Sequence, residues 1–256
     1  MIYLIASGLC AYAGIASGLG AVTLLRPLLD AISPLPPASV AMLCTMAALC
    51  ASLVSAFFAL SQPVPLPVED LVLLAVGAAL GGIMGDLAAN RFYAVMPASA
   101  CTLLQNALLL TLVALPMLYF SRLSRTLLPL ALPHTLGFAV ALVVGLLGSF
   151  LAFGAEPLSL MLFFLLFDAE DGESAFAALT IALFSMAGKL LTLLIRARFA
   201  LPDAGALIWL LPGAVLGAVL AMLPPLQQLL PRRAGDILLR LSLFTSLLNM
   251  AASSFG

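Results

Sequence analysis

The sequence predicts an all-α polytopic membrane protein, on three observations. Hydrophobic residues make up 64% of the chain and charged residues 8%, against about a quarter charged in a soluble domain. So few charges cannot cover a soluble surface. The apolar residues gather in runs near the roughly 20 residues that a helix needs to cross a bilayer. No period-two alternation is visible, which argues against a transmembrane β-barrel.

Proline, glycine and charge clusters place the links. They are "SPLPPAS" (33–39), "SQPVPLPVED" (61–70), "NRFYAVMPAS" (90–99), "SRLSRTLLPLALPH" (121–134), "DAEDGES" (168–174), "RARFALPDAG" (196–205) and "PPLQQLLPRRAGD" (224–236). Between them lie apolar blocks at 2–32, 39–60, 70–89, 98–120, 134–167, 174–195, 204–223 and 235–252, about eight segments in all. The opening "MIYLIASGLC" has no basic stretch before its apolar run, so the first block is expected to be a retained helix.

Blocks 2–32 and 134–167 exceed the length of one straight crossing. Each holds small residues near its middle, "SGLGA" in one and "AFGAEP" in the other. Excess length with a central break predicts a discontinuous helix or a re-entrant hairpin, which membranes tolerate where the backbone is buried in protein or lines a cavity.

The two long blocks also suggest duplication. "GLGA" and "AFGAE" align Gly20 with Gly154 at an offset of 134 residues; "AMLCT" (41–45) and "AALTI" (177–181) follow at 136, and "GGIMG" (81–85) and "GAVLG" (213–217) at 132. The chain is read as two homologous four-segment halves, 1–125 and 126–256, packed as one bundle. Paired interrupted helices in matching positions point to a transporter binding site. Counted as eight crossings, the loop arginines divide three against four, which assigns no orientation.

Net charge is −1, so nothing suggests nucleic acid. The four cysteines form no C-x-x-C and are expected to be buried thiols. A single histidine excludes a histidine-based metal cluster, no P-loop is present, and no cofactor is implied. Transport, if it occurs, runs on a gradient or on a partner.

Three stretches of the first half, "GIASGLGAVTLLRPLL", "PPASVAMLCT" and "GAALGGIMGD", and three of the second, "GLLGSFLAFGAEPLSL", "ESAFAALT" and "PGAVLGAVLA", resemble the sulfite exporter TauE/SafE family of membrane transporters. In that family each half opens with G-x-G-G-G and a P-x-L, then an A-x-G-T-S-like helix start, then a G-x-x-x-G helix. Here one glycine of each triplet survives, at Gly20-Ala21-Val22 and Gly154-Ala155-Glu156, and the threonine-serine pair aligns with Cys44-Thr45 and Thr180-Ile181. The resemblance implies an exporter or permease for a small anion such as sulfite or a sulfonate, in the bacterial cytoplasmic membrane. Substrate contacts would be Gly18, Gly20, Ala21, Thr45, Gly154, Ala155 and Thr180. An alternative follows from the eroded glycines: a non-transporting membrane subunit that supports a paralogous transporter. Either a homodimer or such a paralogue is the partner expected besides lipid.

Three charged residues join the list. Arg26 follows the first break and is expected either to face an anionic substrate or to reach the interface. Glu156 stands beside the second break, and an intramembrane carboxylate is a functional-site hypothesis by default; it is the proton-coupling candidate. Its other reading is an acid at the start of a half-helix. Lys189 either serves an anion path or extends towards Arg196. Asp86 is expected to pair locally with Arg91. Gln105, Asn106 and Asn249 are read as interhelical hydrogen bonds, and His134 as interfacial. A membrane-embedded enzyme would need more clustered polar residues than Arg26, Glu156 and Lys189, so no catalytic residue is assigned.

Overall fold

In the computed structural model, described over residues 1–33, 35–121, 130, 132–153, 155–195, 204–223 and 234–255, all regular structure is helical. Ten α-helices are present among the described residues. They are α1 (Ile2–Ala16), α2 (Val22–Ile32), α3 (Pro37–Ala59), α4 (Val68–Val95), α5 (Ala98–Ser121), α6 (Gly137–Leu151), α7 (Glu156–Phe167), α8 (Asp171–Ile195), α9 (Ala204–Met222) and α10 (Ala234–Phe255). A 3₁₀ turn at His134–Leu136 precedes α6. The links are shorter than expected: α3, α4 and α8 start inside them, at Pro37, Val68 and Asp171, and α4 runs on to Val95, well into the link expected at 90–99. Acids occupy the first turns of α4 (Glu69, Asp70) and α8 (Asp171, Glu173), where they complement the positive helix end.

Helices α3, α4, α5, α8 and α9 are each long and apolar enough to cross a membrane. Their outer faces expose Leu53, Phe57, Val72, Val76, Leu216 and Leu220 to the surroundings, a surface suited to lipid and not to water. The chain is an integral membrane protein by this build.

The two long blocks are each split. Helices α1 and α2 have 15 and 11 residues, α6 and α7 have 15 and 12. At about 1.5 Å rise per residue none covers a hydrocarbon core of ~30 Å. Both splits are reversals. Tyr3, at the start of α1, has its hydroxyl 3.4 Å from Ser33 Oγ, just beyond α2. Before α6, the amides of Leu130 and Leu132 donate to the carbonyls of Leu165 and Leu166 near the end of α7, at 2.9 and 2.7 Å. Each hairpin therefore returns to the end of the bundle it left.

The directions of the long helices fix which end that is. On α4 and α8, Thr192 Oγ1 donates to Asp86 Oδ2 at 2.6 Å, while Val72 and Ala75 share a groove with Phe176 and Leu183, so the two helices run parallel. Ala56, late in α3, and Leu60, just after it, border the same groove, so α3 runs the other way. We call this end of the bundle A and the opposite end B. Hairpin α6–α7 enters from A and hairpin α1–α2 from B.

Glycines bring the backbones together. Helix α6 lies along α4, where methyl groups on Gly81 or Gly85 would strike the carbonyls of Leu142 or Leu146. Helix α1 lies along α9 in the same manner, through Gly8, Gly213 and Gly217. Helix α4 also packs on α8, α9 on α3, and α5 on α10. Small residues at such contacts are the usual membrane solution, because dispersion between closely approached backbones replaces the hydrophobic drive that lipid removes.

Candidate functional site

The two hairpin tips meet in the interior. The first tip turns through Gly18 and Gly20, whose φ angles of 74° and 80° lie in the left-handed region. Its turn is closed by the amides of Leu19 and Gly20, which both donate to the Gly14 carbonyl at 2.8 and 3.1 Å. The second tip makes a comparable turn with alanines: Ala152 has φ 49° and Ala155 φ 54°. A left-handed alanine costs on the order of 1–2 kcal/mol. Ala152, Phe153 and Ala155 are all essentially inaccessible, so packing holds this strained turn in place.

Glu156 begins α7, and its carboxyl group lies directly on the Cα of Gly20, where a methyl group would collide with the carboxyl carbon and both oxygens. The side chain is buried, and Oε2 has no hydrogen-bond partner. Both half-helices that leave the tips, α2 and α7, start here. Each N-terminus carries about half a positive charge, and the carboxyl lies between them.

Beside this contact lies a cavity of about 180 Å³, lined by Gly18, Gly20, Ala21, Glu156, Ser52 and Ser55 together with Ile15, Leu160, Ala175, Ala178, Leu179 and Met222. One water needs roughly 10–15 Å³ of such space, so a small hydrated solute fits. Among the described residues of that lining, Glu156 is the sole ionisable one. The cavity faces end A, where α3 and α9 finish and α8 begins. Two further grooves, one between α1 and α9 and one across α3, α4 and α8, are almost wholly apolar and lie on the outer face.

The remaining expected residues take other places. Arg26 is fully buried on α2. Its Nε donates to Asp30 Oδ2 at 3.0 Å and its Nη2 to Gln105 Oε1 at 3.2 Å, while Nη1 is buried without a partner. Gln105 in turn donates to the Tyr93 hydroxyl. Lys189 is also buried, its Nζ donating to the Ser149 carbonyl at the end of α6 at 2.6 Å. Thr45 is buried and bonded to the Ala41 carbonyl of its own helix. Thr180 bonds the Phe176 carbonyl and borders the outer groove. Ala155 is inaccessible within its turn, and Gly154 lies outside the described residues. The cavity thus gathers Gly18, Gly20, Ala21 and Glu156 from the expected set, and Arg26 and Lys189 are not in its lining.

Asp86 differs from expectation. It does not turn to Arg91 but is buried, accepting from Asn90 Nδ2 at 2.8 Å and from Thr192 at 2.6 Å. Five residues along a helix place two side chains well round its circumference, whereas four bring them together. Gln105 and Asn249 do bridge helices. Asn249 Nδ2 reaches the Pro27 carbonyl at 2.9 Å. Next to it, Ser242 Oγ donates at 2.9 Å to the Thr23 carbonyl, the acceptor left empty because Pro27 has no amide hydrogen. All four cysteines are free, and Cys10, Cys44 and Cys101 are buried. The His134 side chain and Arg122, Arg125, Arg196, Arg198, Arg232 and Arg233 lie outside the described residues. Ser52 and Ser55 went unnoticed in the sequence, although their i, i+3 spacing in "ASLVS" puts both on one helix face.

No family model, curated protein or solved structure matches the chain.

Proposed function

We propose that the chain is a proton-coupled secondary transporter for a small anion, built in two inverted halves, with its site at the Gly20–Glu156 contact. The observation that carries the reading is a pair of re-entrant hairpins from opposite ends, meeting tip to tip beside a cavity that holds a carboxyl with one unpartnered oxygen. Two features support the halves. Helix starts at 2, 22, 37, 68 and 98 are followed by starts at 137, 156, 171, 204 and 234, a near-constant offset. The packing also maps onto itself under that shift, α1 on α9 becoming α6 on α4, and α4 on α8 becoming α9 on α3. With a hairpin that returns, the first half crosses three times, through α3, α4 and α5, so the second half starts from the opposite end and is inverted.

Converging N-termini favour an anion. An ionised Glu156 repels it, so the anion and a proton on Glu156 stabilise each other's binding and travel together. Sulfite, a sulfonate or a related sulfur oxyanion is the substrate class drawn from the TauE/SafE resemblance. Alternating access arises as one half rocks against the other about the tips.

Flux into proteoliposomes of sulfite, thiosulfate, sulfonates and carboxylates, under an imposed pH gradient, tests the reading. At least one anion should enter faster as the outside pH falls. Glu156→Gln, which mimics the protonated acid, should keep anion binding and lose that pH dependence. An absence of flux for every anion under either ion gradient would reject the proposal. Co-purification with a G-x-G-G-G paralogue in that case would favour the supporting-subunit reading.

A further inference from the structure

Building on the two-half reading, we infer that Arg26 and Lys189 form the anion-receiving wall of a second vestibule, closed in this conformation, on the end B side of the Gly20–Glu156 contact. Arg26, Lys189, Cys44 and Asp86 belong to one buried cluster: Arg26, Cys44 and Asp86 all lie within electrostatic reach of Lys189. The cluster sits towards end B, where α3 begins and α4 and α8 finish.

Its members are the repeat counterparts of the cavity wall. Counted from the helix starts of α2 and α7, Arg26 corresponds to Leu160. The helix starts replace the offsets of 136 and 132 read from the letters at 41–45 and 81–85 by 134 and 136; counted from α3 and α8, Cys44 therefore corresponds to Ala178, not Thr180, and Lys189 to Ser55. Counted from α4 and α9, Asp86 corresponds to Met222. Leu160, Ala178, Ser55 and Met222 all line the open cavity. One half-site is thus open and holds a single acid. Its counterpart is shut and holds two cations, Arg26 and Lys189, with two acids, Asp30 and Asp86, as their present neighbours.

The closed side is under-satisfied in a way that fits an anion. Arg26 Nη1 is buried with no partner, and Lys189 is bonded to the neutral Ser149 carbonyl. A buried guanidinium offers planar paired donors suited to an oxyanion. When the halves rock and end B opens, an anion can take the place of the contacts that close the cluster. Glu156 then serves as the shared gatepost between a vestibule with one acid and one whose two cations are held by two acids.

Cys44 is a built-in reporter. With Cys10, Cys50 and Cys101 replaced by alanine, Cys44 is the single thiol, and Ala178→Cys on a Cys44→Ala version reports its counterpart. Each is treated in sealed vesicles of known orientation with membrane-impermeant methanethiosulfonates, one bearing a sulfonate and one a trimethylammonium group. Reaction forms a mixed disulfide and releases methanesulfinate. Cys44 should react from one face of the membrane and Ala178→Cys from the other. With each rate divided by that reagent's rate on free cysteine, Cys44 should favour the sulfonate reagent about tenfold more than Ala178→Cys does, the lower bound of electrostatic focusing. Arg26→Gln and Lys189→Gln should each reduce that preference, and if one fails to fold, the other carries the test. Labelling of both thiols from the same face, an inert Cys44, or a preference for the cationic reagent would overturn the inference. Because labelling needs no transported substrate, the expected pattern without anion flux would instead count against the transport reading alone.

Discussion

Replacing Gly20 by alanine probes the tip contact directly, with Gly18→Ala as its control. Both glycines have left-handed backbones, φ 80° and 74°. Each substitution therefore carries about 1–2 kcal/mol of backbone strain. Their surroundings differ. A methyl group at Gly18 meets nothing within 4 Å, whereas one at Gly20 overlaps the Glu156 carboxyl. Glu156 must then leave its rotamer, at a cost on the order of 0.5–1.5 kcal/mol. Gly20→Ala should be less stable than Gly18→Ala by about that amount. Adding Glu156→Ala should remove the excess in the Gly20 variant and give no such relief in the Gly18 variant. The double-mutant cycle, followed by thermal unfolding of the purified protein in detergent, measures the interaction without needing a substrate. Transport should fall further in Gly20→Ala than in Gly18→Ala, because the displaced carboxyl occupies the cavity. Equal destabilisation of the two glycine variants, with no relief on removing Glu156, would show that the tips do not touch.

Ser242→Ala leaves the Thr23 carbonyl unpaired beside Pro27, and should cost about 1–3 kcal/mol in unfolding measurements; Ser242→Thr, which keeps the hydroxyl, should cost less. Gly213→Ala places a methyl group against the backbone of Leu4 and the Ser7 hydroxyl, and overpacking of this kind costs about 1–3 kcal/mol. Gly172→Ala, with open space around it near the start of α8, should be neutral or mildly stabilising by the same unfolding assay. Glu156→Gln should flatten the pH profile of anion flux, since Glu156 is the sole ionisable group among the described residues of the cavity lining.

The helical character and the helix limits could be read from the chain because they are local. Runs of apolar residues, proline-rich links and the small residues at 17–21 and 152–155 act over one or two turns. The expected blocks accordingly lie close to the observed helices, and both long blocks break where their small residues fall. Gly18, Gly20, Ala21 and Glu156 were legible for the same reason: a break and an adjacent acid are visible in a few letters.

Long-range geometry was not legible. Whether a broken segment crosses or returns depends on Tyr3 meeting Ser33 and on Leu130 and Leu132 meeting Leu165 and Leu166, pairs about thirty residues or more apart. Asp86 faces Thr192 across a helix–helix contact made close by Gly82 and Gly188, a choice that no local spacing encodes. The separation of charges belongs to the same class. Arg26 and Lys189 looked like companions of Glu156, but α2 leaves its tip towards end B and α8 finishes at end B, which carries both residues to the other side of the contact. Composition and local pattern are enough to set helix, break and lipid-facing surface, since each follows from the preference of a short segment for its solvent. Which charges share a cavity follows from how the helices settle against one another, and that balance is struck by backbone contacts between residues far apart in the chain.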